Sequence, residues 1–519
     1  MDSPFVSRNP VVRLTKAFTT PFKNVVATAK TCYSSKGIVE DEAVGEPEKY
    51  AELARSIYEA GHHTTFQHAH FQFALENVSR HFIWSFLHSH PFYNSEQVSQ
   101  RYVAVKPDTM AVPRLEERAL AVYQETAVLQ FDAYRRLSEL LAGPVESEFF
   151  QRFNRSERFE KKHKASIKRK SQEIARYVLP VGTTAYLYHT VSGVTLFRYW
   201  RAAQQGDTPA ETRFVVREMV RRVLELDPEY RTTLQEPLES DAYPESSIIG
   251  ASPEIMEGRR AAAFRAEFDA DLNGKWAKLV SFTNRAEELV AAGVREVLGL
   301  TRDAMDDETA IGLAMDPGHN SLLGESLNLT TVSKLSRAMH HAHYTFRKKL
   351  SHAGDSQDQR HRMTPATRPI LAAHVDEQPD VITPGLVELE PEALRLYNET
   401  MAKTWEALEK LRSLDVPPEW RCYLLPNAVA VRFTESGDLL NLRHKHEMRL
   451  CYNAQEEIWR ASLDEALQIR EVHPRLGKFL LPPCGARSRA GAKPICPEGP
   501  RYCGVRVWKL DPVEYQRTI

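Results

Sequence analysis

Arginines, histidines and cysteines carry most of the chemistry this chain offers. The segment Ser99-Gln100-Arg101-Tyr102 sets a hydroxyl beside a guanidinium. Arg176 precedes Leu179-Pro180, and Arg443 lies in the stretch Leu440 to Glu447 that reads LNLRHKHE. A guanidinium grips phosphate through two parallel N–H donors, so these three arginines are candidate anion ligands. A structural ion pair is the plain alternative for each. His88 and His90 could donate to an anion when protonated, or could sit at an exposed helix end. His62 and His68 open a buried-looking strand, where a satisfied core histidine competes with a ligand role. His340, His341 and His343 resemble a metal cluster. Only spacings of three or four share a helix face, which leaves at most the pair His340 and His343. Cys484-Gly485, Cys496-Pro497 and Cys503-Gly504 have the sharp turns of a zinc knuckle. A structural zinc needs four ligands, so Cys451 or His473 would complete Cys484, Cys496 and Cys503. Free buried thiols are the alternative.

Elements must hold these groups. The doublets Gly61-His62, Ser79-Arg80 and Ser99-Gln100 recur as Gly318-His319, Ser336-Arg337 and Ser356-Gln357, each 257 positions on. A helix-like segment precedes each Gly-His (EKYAELARSIYEA and DDETAIGLAM). An alternating stretch follows each, with Phe71, Phe73 and Leu75 in one and Leu327 and Leu329 in the other. Period-two alternation predicts a strand with one buried face. Two long amphipathic helices come next, LEERALAVYQETAVLQFDAYRRLSELL and PEALRLYNETMAKTWEALEKLRSL, each leading to a Leu-Pro, Leu179-Pro180 or Leu425-Pro426. This shared order predicts a tandem duplication. A Pro- and Glu-containing stretch near residue 240 separates the copies. The expected division is a first domain over 1–240, a second over 255–480, and a Cys-, Gly- and Pro-rich tail over 481–519.

The 519 residues exceed one ordinary core and suit two domains with extras. A formal net charge of -1 gives no bulk attraction to nucleic acid or membrane. The one strongly basic run, Arg155 to Lys170, could touch nucleic acid or phosphate. Apart from Phe159 it lacks interleaved aromatics, so a solvated helix is favoured and nucleic acid is left open. Six cysteines in so long a chain make no disulfide framework. The N-terminus lacks a signal-peptide core, and no apolar run approaches a membrane span. A cytoplasmic protein is expected.

The stretch from Gly61 to Tyr102 resembles the core of the flavin-dependent thymidylate synthases. Gly61, His62, Thr64, Phe66 and His68 follow that family's Gly-His-x-(Ser/Thr)-x-Phe-x-His segment. Ser79-Arg80 and Ser99-Gln100-Arg101-Tyr102 follow its next two elements, and Ala175, Arg176, Leu179 and Pro180 its Ala-Arg-x-x-Leu-Pro segment. The second copy's LNLRHKHE is similar to the later Leu-Asn-Leu-Arg element. The resemblance implies an α+β fold: two tandem domains of helices packed on a twisted sheet, followed by the Cys-containing tail. It also implies a homotetramer with sites between subunits, so a homodimer of this chain would supply four domains. The implied reaction methylates deoxyuridine monophosphate (dUMP) at C5. Methylenetetrahydrofolate gives the carbon, reduced FAD the hydride, and NADPH reduces the flavin.

The signature is altered. The family's Arg-His-Arg position reads His88-Ser89-His90 in the first copy, and aligns with Thr345-Phe346-Arg347 in the second. Gln67 replaces a glutamate, and Ala203 stands where the family's late nucleotide arginine aligns. The losses look complementary, and a composite site is expected. Glu96, Ser99, Arg101, Arg176 and Arg443 would bind the nucleotide. His88, His90 and Ser99 would serve the chemistry. His62, Thr64, Gln67, His68 and Asn427 would face the flavin. The alternative is a non-catalytic descendant that binds a nucleotide, nucleic acid or partner protein.

Overall fold

The computed structural model describes residues 3–89, 92–153 and 157–519, and of 157–162 the backbone alone. His90 therefore lies outside the described residues. In the first half, β1 (Val11–Ala17), β2 (His70–Ser79), β3 (Asn94–Gln97) and β4 (Thr184–Ser192) form an antiparallel sheet in the order β1-β2-β4-β3. In the second, β5 (Ala277–Phe282), β6 (His343–Ser351), β7 (Ala366–Thr367) and β8 (Ala430–Asp438) repeat that order as β5-β6-β8-β7. The fold is α+β and occurs twice. Phe71, Phe73 and Leu75 are fully buried on β2, as their alternation requires. The strand then bulges between Leu75 and Val78, where Asn77 takes a left-handed φ of 56°.

The helices that matter for the site are α1 (Arg80–His88), α2 (Glu117–Leu140), α3 (Glu157–Ala175), α4 (Gly193–Arg201), α5 (Pro209–Leu226), α6 (His352–Asp358), α7 (Pro391–Ser413), α8 (Leu439–Arg449), α9 (Glu456–Val472) and α10 (Pro483–Arg489). The long helices α2 and α7 match the two amphipathic segments. They pack on each other across the molecule, within one apolar core that joins the halves. Each sheet has a further core of its own.

Two crossed straps lock the halves together. Ser79 caps α1, and Glu211 on α5 accepts from its backbone N at 2.8 Å, its Oγ at 2.6 Å, and the Tyr423 hydroxyl at 2.6 Å. In the other half Ser351 caps α6, Glu457 on α9 accepts from it, and the Tyr177 hydroxyl donates to Glu457 at 2.5 Å. Each tyrosine thus comes from the half opposite its glutamate. The Leu-Pro segments cross between them. Val181 N donates to Leu425 O at 2.8 Å, and Asn427 N to Leu179 O at 2.7 Å. The approach is so close that a Cβ on Gly182 would stand 2.7 Å from Tyr423 O.

These equivalences correct the sequence register. The counterpart of Ser79 is Ser351, not Ser336, which falls in a 3-10 segment. Leu327 is exposed and Leu329 opens a 3-10 turn, so the second alternating stretch is no strand. Thr345-Phe346-Arg347 lies inside β6. The two leucines of the second stretch were too few to fix a strand, and the Ser-Arg and Ser-Gln matches are not structural equivalents. Gly61-His62 and Gly318-His319, by contrast, each follow a helix (Pro47–Glu59 and Asp307–Met315) that precedes the central strand.

The tail is corrected too. Among the described residues no group of three or more His, Cys, Asp or Glu side chains is placed to hold a metal ion. Cys484, Cys496 and Cys503 are free thiols, and His473 is taken by the Tyr344 hydroxyl at 3.0 Å. Burial pushes the Cys484 thiol up to about 12, with Cys451, Cys503 and Cys496 nearby adding to the effect. An apolar cluster of Tyr452, Trp459, Cys484, Val507 and Tyr515 pins the tail instead. His340 pairs with Asp438 at 3.1 Å. Among the described residues no helix is long and apolar enough to cross a membrane.

Candidate functional site

A cleft opens where the first sheet meets the turn after α6. It consists of two adjoining cavities of about 530 and 480 Å³ that share Tyr93, Asn94, Thr190, Arg360 and Arg362. The first half contributes Gln67, His70, Ser192 and Arg198 as well, and the second contributes His361, Thr364, Asn441 and His444. The lining is drawn from both halves, and of the residues expected at a composite site it includes Gln67 and Glu96.

Arg360-His361-Arg362 spells the Arg-His-Arg sequence itself. Arg360 stands as far beyond the capping Ser351 as His88, the last residue of α1, stands beyond Ser79, which makes Arg360 the structural counterpart of His88. The tripeptide was plain in the sequence, and the offset of 257 hid it. Arg360 reaches across the cleft to Glu96 at 3.1 Å. Behind the turn, half-buried Arg449 donates from Nε to His361 Nε2 at 2.9 Å and from Nη2 to Gln357 O at 2.9 Å. The crossed straps relate Leu179 to Leu425 and Glu211 to Glu457, and the same offset relates Ala203 to Arg449. The missing late arginine of one half is thus present in the other.

Arg449 belongs to a cluster. Burial, reinforced by Arg101 and Arg360 and opposed by Asp358, lowers its pKa to about 10. Burial lowers Arg80 to about 9, aided by Arg176 and Arg360. Arg176 is lowered by burial and by Arg101, with Glu173 opposing. Arg101 is buried as well, yet Glu173 raises it. Glu173 overcomes its own burial and is held well below the usual carboxylate range by Arg101, Lys170 and Arg176. Five guanidiniums thus repel one another beside few carboxylates. An entering anion would relieve that repulsion.

The other expected site residues divide. Arg101 pairs with Glu173 and donates to Asn453 O at 2.6 Å, and Arg176 donates to Gln455, so both lie on the contact between halves. Ser99 Oγ accepts from Arg101 N at 3.2 Å. Asn427 is buried and donates to Gln100 Oε1 at 3.1 Å and Arg176 O at 3.0 Å, which makes it a tie between halves. Arg443 points elsewhere, to Glu447 at 3.2 Å and Leu323 O at 3.2 Å. Its neighbours Asn441 and His444 reach the cleft instead. His62, Thr64, Gln67 and His68 are exposed around a 3-10 turn, and of these Gln67 lines the cleft. His88 packs edge-on against Trp84 at 4.6 Å. Burial, with Arg368 and His81, lowers its pKa to about 3, so it stays neutral and cannot hold an anion by charge. Trp84 Nε1 donates to Asp355 at 2.7 Å and Arg368 grips the same carboxylate, filling the space beside it.

Comparison with known proteins agrees with the duplicated fold. The family model described as thymidylate synthase complementing protein matches residues 13–229 and again 278–475. A flavin-dependent thymidylate synthase from Clostridium tetani is 26% identical over 220 residues, covering 42% of this chain and 83% of that protein. Another from Sulfurisphaera tokodaii is 30% identical over 217 residues, covering 40% and 78%. A UMP/dUMP methylase from Streptomyces cacaoi, solved with 5-Br dUMP, is 18% identical at a TM-score of 0.33, covering 43% of this chain and 94% of its own. With both of its halves matched by one family model, the chain belongs to the thymidylate synthase complementing protein family.

Proposed function

We propose that the chain is a flavin-dependent enzyme acting at C5 of a uracil nucleotide, through one composite site per chain. The observation that carries this is Arg360-His361-Arg362 of one half facing β3 and β4 of the other, with Arg449, Arg176 and Arg101 behind. The relatives' names supply the substrate class and the flavin. The arginine cluster would take the nucleotide phosphate in bidentate contacts. Arg360 or Arg362 beside the ring oxygens would stabilise an electron-rich ring. The cleft's size and its donors His70, Arg198, Arg362 and His444 fit a phosphate-bearing flavin. Bound there, flavin would supply hydride, with methylenetetrahydrofolate and NADPH as carbon donor and reductant.

The pseudo-equivalent position, shared between the halves in the opposite sense, lacks three of these arginines. His88 stands for Arg360, Ala203 for Arg449 and Cys422 for Arg176, and all three pack in the interior. One site per chain follows. The same proposal divides the chain at 1–240 and 255–480 and joins two copies as a homodimer, which sedimentation would measure.

The test is an absorbance scan after incubation with FAD and gel filtration, followed by incubation with dUMP, methylenetetrahydrofolate and NADPH. Retained flavin and a C5-methylated nucleotide are expected. A colourless protein that still binds dUMP would leave a binding-only descendant.

A further inference from the structure

The second half has an ionic core where the first has an aromatic one. Lys348 (β6), Glu435 (β8), Asp358 (α6), Lys445 (α8) and Glu465 (α9) are all fully buried. Lys348 Nζ lies 2.9 Å from Glu435 and 2.8 Å from Glu465, and also pairs with Asp358. Lys445 Nζ pairs with Glu435 and lies 3.3 Å from Asp358. His446 Nε2 completes the set, 2.9 Å from Glu465. Strand pairing and the crossed straps give the first-half counterparts: Leu75, His189, Phe86, Tyr199, Met219 and, for His446, Trp200. The Phe86 ring packs there at a tilt against Tyr199 at 4.4 Å and His189 at 5.1 Å.

Stability alone does not account for the difference. Burying such ions costs several kcal/mol each in desolvation, and apolar replacements of similar volume are often neutral or stabilising. The first half shows that this fold closes without them. The ionic core does one thing its counterpart does not: it holds both ends of the arginine turn. Asp358, at the start of the turn, is gripped by Lys348. Thr364, at its end, donates to Glu435 Oε1 at 2.6 Å. Between them His361 N donates to Asp358 O at 3.1 Å, and the His361 ring accepts from Arg449.

We infer that the buried Lys348–Lys445 network is a positioning device that fixes the turn from Asp358 to Thr364, so that Arg360 and Arg362 enter the cleft in one arrangement. Its members are positioning residues and touch no ligand. The inference rests on the proposed nucleotide site for its purpose, and on the clamp alone for its mechanics.

The test grafts the first-half residues into the second: Lys348→Leu, Asp358→Phe, Glu435→His, Lys445→Tyr, His446→Trp and Glu465→Met. Melting, amide hydrogen exchange and dUMP titration are then compared with the parent chain. The graft is expected to melt cooperatively near the parent. Exchange over 358–364 should rise at least ~10-fold by local opening, with dUMP affinity falling by a similar factor. Cooperative melting with unchanged exchange over 358–364 would overturn the inference. Should the graft not fold, Thr364→Val cuts one clamp alone. It should loosen the same segment and weaken dUMP binding, and Thr364→Ser should restore both. Equal protection in Val and Ser variants would also overturn it. If the parent chain fails to bind dUMP, the functional proposal falls, while exchange still decides the clamp.

Discussion

Arg449 shows how much one residue can decide. It stands opposite Ala203 and touches His361, Gln357 and the arginine cluster at once. Arg449→Ala is expected to weaken dUMP binding by roughly 100-fold, about 2.7 kcal/mol, the range for truncating one partner of a buried charge contact. Calorimetric titration measures it. Arg443→Ala should leave dUMP affinity within about twofold, since Arg443 serves Glu447 and Leu323 instead; a large loss would move the site. Arg101 and Arg176, which both lie on the contact between halves, were expected as anion ligands from the family resemblance. Arg360 and Arg449 were not, because their meaning depends on which residues of the other half they face. Arg443 was the tempting substitute, since it sits in a familiar string, but its helix turns it away from the cleft.

Among the elements, the helices were the more legible. The periodicity of α2 and α7 ran for over twenty residues and fixed both. The second half's central strand, HYTFRKKLS, buries Tyr344, Phe346 and Leu350, but Lys348 of the ionic core interrupts that face. Alternation written in charges does not read as hydrophobic. The strap at Glu211 makes a prediction at this scale. Burial raises the Glu211 carboxyl to about 7, against hydrogen bonds from Ser79 and Tyr423 that lower it. The native state therefore keeps a proton that the unfolded chain releases above its ordinary value of 4.5. Stability should fall as pH rises from 4.5 to 7 and level off beyond, by up to about 3 kcal/mol from this group. Urea unfolding at pH 5 and pH 8 should show a smaller difference for Glu211→Gln than for the parent. An equal difference would place the titration elsewhere.

For the whole molecule, the duplication was legible while its register was not. The order of helix, strand and Leu-Pro repeats, yet segments of different length lie within the copies, so no single offset spans them. The asymmetry predicts stoichiometry: one dUMP per chain at saturation, where two equal sites would give two. The straps predict cohesion. Cleavage in the Pro- and Glu-containing connection near residue 240 should leave two fragments that co-elute, since Tyr177, Tyr423 and the Leu-Pro crossing join them without that peptide.

That crossing also bears on inheritance. In an assembly of identical subunits, any substitution enters every site at once, so a harmful change finds no intact partner. Two halves in one chain are no longer copies in that sense. Arginine at 449 and alanine at 203 coexist in one molecule, and in the proposed composite site each half would supply what the other lacks. If the proposed site is the working one, separation is closed as a route once such losses accumulate on both sides, because neither half would hold a complete site to carry away. The exchanged Leu-Pro segments bind the halves in structure, and the proposed division of arginines would bind them in descent as well.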